Sequence, residues 1–181
     1  CRTPGEAPVP TPTASSTPRP FTVMSTDQIR VTDPAAITDA ASTVLALNVF
    51  QRLMTADPGS SVLKPDAARD CLFTSATIYT CTLNDDLAFH NGHPLTSSDV
   101  KFSIERAARL KIPGSSATAL SSFRRIQTPD TKTVRFVLSR PDTQFGWALA
   151  SPAASIVDEE VYNADRVQDP NDPIVGPGRS W

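Results

Sequence analysis

No uninterrupted apolar run in this sequence approaches the roughly 20 residues that a membrane-spanning helix needs. The longest candidate, Val44 to Phe50, is far too short and is itself broken by Asn48. Excess charge of either sign is also missing: 17 basic and 19 acidic residues leave a formal charge of -2. Nucleic-acid binding wants a basic patch, and this balance gives it no support. Aromatic residues make up only 7%. There is no G-x-S-x-G, no glycine-rich phosphate loop and no H-E-x-x-H, so these signatures of hydrolase, nucleotide and zinc-protease chemistry are absent. Acids cluster at Asp85-Asp86 and at Asp158-Glu159-Glu160. Those positions suit a turn and a helix start better than a catalytic pair. The expectation is a protein that is not an enzyme.

Proline, in contrast, is plentiful, at 17 residues, with much of it in the first twenty positions. That segment is rich in Pro, Thr and Ser and lacks the apolar residues that offset ordering entropy. It reads as an extended linker. The remainder is long enough for one ordinary domain with a real core.

The most informative stretch runs from Leu87 to Leu110. Leu87 and Phe89 alternate with polar neighbours, as at the end of a half-buried strand. Asn91-Gly92 is a turn signal, because both residues tolerate positive φ. Thr96 and Asp99 have capping-box spacing. Val100, Ile104, Ala107 and Leu110 then share one helical face, and Pro113-Gly114 stops the helix. By physics alone this is a strand–turn–helix joint of the kind many mixed domains contain.

The string from Phe89 to Ala107, F-H-N-G-H-P-L-T-S-S-D-V-K-F-S-I-E-R-A, resembles the signature of the peptide/nickel-type (family 5) solute-binding proteins of bacterial ABC importers. Shorter strings are similar to that family as well. They are N-V-F-Q-R-L-M at Asn48–Met54, Leu63 to Ala68, Ile126 to Leu138 with its Pro129-Asp130 turn, Pro141 to Phe145, and the short strand Ala153 to Val157. Ile37 to Ala41 matches the family's L-D-P-A loop only loosely. The resemblance covers Ile29 to about Val175, which is the N-terminal portion of a family member. It implies an α+β fold: the start of a two-lobed periplasmic-binding-protein-like architecture, mainly the small extra domain with antiparallel hairpins and a capped helix. The expected domains are a linker at 1–25, the start of the large lobe at 26–56, the small extra domain at 57–165 and a return toward the large lobe at 166–181.

Local expectations follow. Gln28 to Thr32 alternates and reads as a strand ended by Asp33-Pro34. Ser42 or Thr43 caps a helix whose Val44, Leu45, Leu47, Val49, Phe50, Leu53 and Met54 fill most of its circumference, so the helix should be largely buried. A hairpin folded about Ala76 sets Cys71 opposite Cys81. Facing β-carbons lie about 4.5–5.5 Å apart in antiparallel pairs, close to disulfide reach. Two buried thiols or half a metal site are the alternatives, and neither cysteine lies in a C-x-x-C pair. His90 and His93 flank the Asn91-Gly92 turn with no third ligand nearby beyond Asp85 and Asp86, so no metal and no cofactor are expected. Phe145 and Leu149 pack in the core. Trp147 is either a core residue or an aromatic ligand contact.

What the resemblance implies for function is a substrate-binding component of an ABC transporter for peptides or other small solutes, with the ligand in a cleft between lobes. Its partners would be a small solute, most simply a peptide, and the importer's permease subunits, with no nucleic acid. Candidate ligand contacts are Ala41, Ser42, Thr43 and Trp147. Cys1 followed by a tether resembles the mature start of a bacterial lipoprotein, carrying lipid on Cys1 and sitting on the outer face of the cell membrane, or else in the periplasm. Buried acyl chains bind at ~0.8 kcal/mol per CH₂. Where the family reads V-G-T-G-P-Y, this chain reads Val175-Gly176-Pro177-Gly178-Arg179, the product that loss of one base would give. A truncated product follows from that reading, and a non-functional fragment is the alternative. The genomic sequence tests it.

Overall fold

The computed structural model describes Thr22, Met24 and residues 26–168, together with the backbone of Val175–Gly176 and Arg179–Ser180. Cys1, nearly all of the linker and most of the expected return segment lie outside the described residues.

Two antiparallel hairpins make the central sheet. Ala68–Ser75 (β3) pairs with Ile78–Leu83 (β4), and Phe123–Gln127 (β5) with Thr133–Leu138 (β6). The β4–β6 pairing joins them in the order β3-β4-β6-β5. Alternation decides which face is buried. Tyr79, Cys81 and Leu83 from β4, with Val134, Phe136 and Leu138 from β6, all point into the core. Thr80, Thr82 and Arg135 occupy the intervening positions. The Pro129-Asp130 turn closes as expected, with the Asp130 carboxylate accepting the Lys132 and Thr133 amides, each at 2.8 Å. Cys71 faces Cys81 in the register and is joined to it by a disulfide. A smaller pair, Met54–Thr55 (β1) with Lys64–Pro65 (β2), lies before the sheet. Val175–Gly176 (β7) pairs with Arg179–Ser180 (β8).

The helix Ser97–Leu110 (α2) packs against β5 and β6. Its start is a capping box: the Thr96 hydroxyl accepts from the Ser98 amide at 3.2 Å, and the Asp99 carboxylate accepts from the Thr96 amide at 2.9 Å. This arrangement satisfies N–H groups that have no partner within the helix. Val100, Ile104 and Ala107 are fully buried. The helix ends at Lys111, a non-glycine residue in the left-handed region at φ 47°, ahead of the Pro113-Gly114 stop. Gly92, at φ 87°, provides the turn that Asn91-Gly92 signals.

Several expectations fail. Gln28 to Thr32 forms no strand among the described residues. The Arg30 and Val31 amides instead bond the Ser42 hydroxyl at 3.1 and 3.2 Å, so side-chain chemistry replaces a ladder. The helix Ala40–Val49 (α1) is capped by Asp39, which accepts the Ser42 amide at 2.9 Å; Ser42 and Thr43 lie inside it. Nor is α1 largely buried. Only Ser42 and Ala46 are, while Val44, Leu47 and Val49 are exposed. A helix that is apolar all round needs packing on several sides. The neighbour it meets here is the short 3₁₀ turn Pro152–Ala154. That turn, followed by extended chain, replaces the expected strand at Ala153 to Val157. Asp158 opens a turn, with its carbonyl accepting from the Val161 and Tyr162 amides, and no helix follows.

Candidate functional site

Three polar constellations stand out around this scaffold. The first is a buried clamp. Asp33 and Arg106 are each 1% exposed, and the guanidinium donates to both carboxylate oxygens, Nη1 to Oδ1 at 2.8 Å. Asp33 also accepts the Ala35 amide at 3.1 Å and the Gln168 amide at 2.6 Å. Arg106 donates onward to the Asn163 carbonyl at 2.6 Å and the Arg166 carbonyl at 2.8 Å. The Tyr162 ring lies 5.4 Å from the guanidinium carbon, a cation–π distance. Burial and the Asp33 charge together push the Tyr162 phenol up to about 12, against Arg106. One ion pair thus ties the entering chain, α2 and the departing chain together.

The second lies at the signature turn. His93 Nδ1 donates to Asp158 Oδ2 at 2.6 Å, and Asn91 Nδ2 to the same oxygen at 2.8 Å. Asp158 Oδ1 accepts the Glu160 amide at 2.8 Å. Burial pushes the Asp158 carboxyl up, but the hydrogen bonds from Asn91, the Glu160 amide and His93 outweigh it and hold it below 3.8. Phe50, His90, Asn91, Asp158 and Tyr162 line an adjoining cavity of about 290 Å³. His93 thus braces the turn against Asp158, and His90 lines the cavity. No group of three metal-ligating side chains occurs among the described residues.

A carboxyl held below its ordinary value stabilises the fold above pH 3.8, and that contribution is lost as pH falls through the folded value. Asp158→Asn sets an amide N–H against one of its donors, and an unmet buried group costs about 1–3 kcal/mol. We expect that loss in urea unfolding at neutral pH. It should shrink steadily on acidification below pH 3.8. An equal loss at both pH values would show that the ionised carboxylate is not its source.

The third constellation surrounds Trp147, which is 37% exposed and not a core residue. The short helix Phe145–Ala148 (α3) packs on β1. Trp147 lines a cavity of about 610 Å³ with Val44, Leu47, Asn48, Arg52 and Thr55. The other expected ligand contacts are not gathered there. The Ser42 hydroxyl is engaged by Arg30 and Val31, the Thr43 hydroxyl donates to the Asp39 carbonyl at 2.8 Å, and Ala41 sits in the first turn of α1. Arg52 was missed by sequence reading, since one arginine in an apolar string carries no local signal.

The antiparallel sheet, the capped helix and the signature turn together are those of a solute-binding protein. The model for the bacterial extracellular solute-binding proteins, family 5 middle region, matches residues 63–178, and the chain belongs to that family. It is 33% identical over 142 residues to the probable D,D-dipeptide-binding periplasmic protein DdpA of Escherichia coli K12, covering 76% of this chain and 27% of that protein. Among solved structures, it matches AgaA of A. tumefaciens R10, in complex with agropinic acid, at a TM-score of 0.66 and 30% identity, over 72% of this chain and 26% of that one. NikZ of Campylobacter jejuni, in complex with Ni(L-His), matches at a TM-score of 0.61 and 26% identity, over 74% of this chain and 26% of that one. The chain spans 27% of the length of DdpA.

Proposed function

We propose that this chain is the N-terminal part of an extracytoplasmic receptor that hands a peptide, or another small solute, to the permease of an ABC importer. It binds without catalysing a reaction. The observation that supports this best is the family match over 63–178, which contains the signature turn and α2. The relative named as a D,D-dipeptide-binding protein favours a dipeptide as the solute. On this reading residues 26–56 begin the large lobe, 57–165 form the small extra domain, and 166–181 return toward the large lobe. Closure of the lobes on the solute would be a hinge motion. A lipid on Cys1 would hold the receptor at the membrane, and mass spectrometry of the N-terminal peptide from the bacterial host tests that.

Thermal unfolding of the full chain with D-Ala-D-Ala and L-Ala-L-Ala tests the binding reading. A ligand at one hundred times its Kd stabilises by about 2.7 kcal/mol, a rise of several degrees for a chain of this size. Unmoved melting with both peptides would defeat the reading for this chain. The exposed apolar side chains of α1, Val44, Leu47 and Val49, favour a second reading, a fragment that cannot bind by itself.

A further inference from the structure

The cavity beside Trp147 contains a buried charge that makes no ion pair among the described residues. Arg52 is 4% exposed. Burying a cation is costly unless a carboxylate or a full set of acceptors compensates. Among the described residues no carboxylate lies within ion-pair distance of the Arg52 guanidinium. Asp66 attracts it from further off, and the Asp66 Oδ2 already accepts the Arg52 backbone amide at 3.1 Å. The side chain makes two long hydrogen bonds, from Nη1 to the Phe50 carbonyl and from Nη2 to the Thr55 hydroxyl, both at 3.3 Å. Its Nε–H has no acceptor among the described residues.

Arg106 shows the contrast within the same chain. Its guanidinium meets a carboxylate, two carbonyls and an aromatic face. Beside the 290 Å³ cavity the Asp158 carboxylate is likewise satisfied, by Asn91, His93 and the Glu160 amide. Arg52 differs from both: for its five N–H donors it finds only two weak acceptors among the described residues.

Around it the cavity is amphipathic. Val44, Leu47 and Trp147 supply apolar and aromatic walls, and Asn48 and Thr55 supply polar ones. Asp57 also lines the rim, where it pairs with Lys64. The volume, about 610 Å³, lies within the roughly 300–1,000 Å³ range of small-molecule sites. Guanidinium is the side chain best matched to a carboxylate, through two parallel donors.

We propose that this cavity is a carboxylate-binding site, in which Arg52 receives the carboxylate of a small amphipathic molecule and Trp147 covers its body. The proposal deepens the receptor reading and rests on it for the source of the ligand: the carboxylate is the C-terminal end of a short peptide. Sequence alone placed Trp147 among the candidate contacts but not its charged neighbour.

The test uses the full chain with Trp181→Phe, so that Trp147 is the sole tryptophan, and follows its fluorescence. The probes are N-acetylglycine and N-acetylglycinamide, which differ in the charge of one end. N-acetylglycine should give a saturable change and the amide none. Arg52→Gln should weaken the acid about ten- to hundredfold, the worth of a charge-assisted hydrogen bond, and Arg52→Lys should restore part of it. Equal binding of acid and amide, no response to either, or an Arg52→Gln chain that binds the acid normally would each overturn the site. Should Arg52→Gln fail to fold, the comparison of acid with amide in the Arg52 chain still decides. Dipeptides that stabilise the chain while acid and amide behave alike would remove this site and leave the receptor reading. Dipeptides that leave melting unmoved while the acid alone moves Trp147 would do the reverse.

Discussion

Asp33→Ala is expected to destabilise the chain by about 3–5 kcal/mol, because it leaves the Arg106 cation buried without its counter-ion. The loss is a large fraction of the roughly 5–15 kcal/mol that holds an ordinary domain. Removing both partners usually costs far less than removing one. Here the pair also satisfies backbone groups: the Ala35 and Gln168 amides on the acid, and the Asn163 and Arg166 carbonyls on the base. The Asp33→Ala/Arg106→Met double variant should therefore remain unstable, yet fall within about 1 kcal/mol of the worse single variant, far from additive. Urea unfolding of the four chains measures this as shifts in midpoint at constant slope. Additive losses would mean that the two side chains act independently. An unmoved midpoint in Asp33→Ala would remove the clamp as a source of stability.

This clamp marks the limit of what the sequence makes legible. Local chemistry announces itself. The capping box at Thr96 and Asp99, the Asn91-Gly92 turn, the Pro129-Asp130 turn and the pairing of Cys71 with Cys81 each follow from residues a few positions apart, or from the register of one hairpin. Those features give the antiparallel sheet and its helix almost entirely. Asp33 and Arg106 are separated by 73 positions and His93 and Asp158 by 65, and no periodicity links such pairs. Arg106 is visible only as the last basic residue of the signature string. Gln28 to Thr32 fails for a related reason. Alternation allows a strand, but a strand also needs a neighbour, and the amides here find the Ser42 hydroxyl first. For α1, a pattern that is apolar on every side says that the helix prefers burial and cannot say what covers it. Trp147 and Phe145 are alike in sequence, two aromatic residues two positions apart, and only the packing of α3 on β1 separates a cavity wall from a core residue.

Phe145→Ala is expected to cost about 3–5 kcal/mol, as large-to-small changes in fully buried aromatic positions do. The Phe145 side chain is 0% exposed. Its ring meets Tyr79 edge-on at 5.8 Å and Phe136 at 5.2 Å, so one residue joins α3 to the buried faces of β4 and β6. Aromatic pairs of this geometry add about 0.5–1.5 kcal/mol beyond area burial. The gap would not be refilled easily. Leu63 and the Tyr79 hydroxyl already stand 3.0 and 3.1 Å from where a Cβ at Gly146 would lie, so the neighbouring chain has no slack on that side. Phe145→Leu keeps much of the volume and should lose clearly less. Phe73→Ala, at the exposed end of the same aromatic row and 4.7 Å from Tyr79, should lose well under half as much as Phe145→Ala. Urea midpoints followed by circular dichroism rank the three. If Phe73→Ala matched Phe145→Ala, the aromatic row would act as a uniform surface stripe, and α3 would not be held to the sheet through Phe145. The expected order makes Phe145 the anchor that fixes Trp147, two residues on, at the wall of the Arg52 cavity.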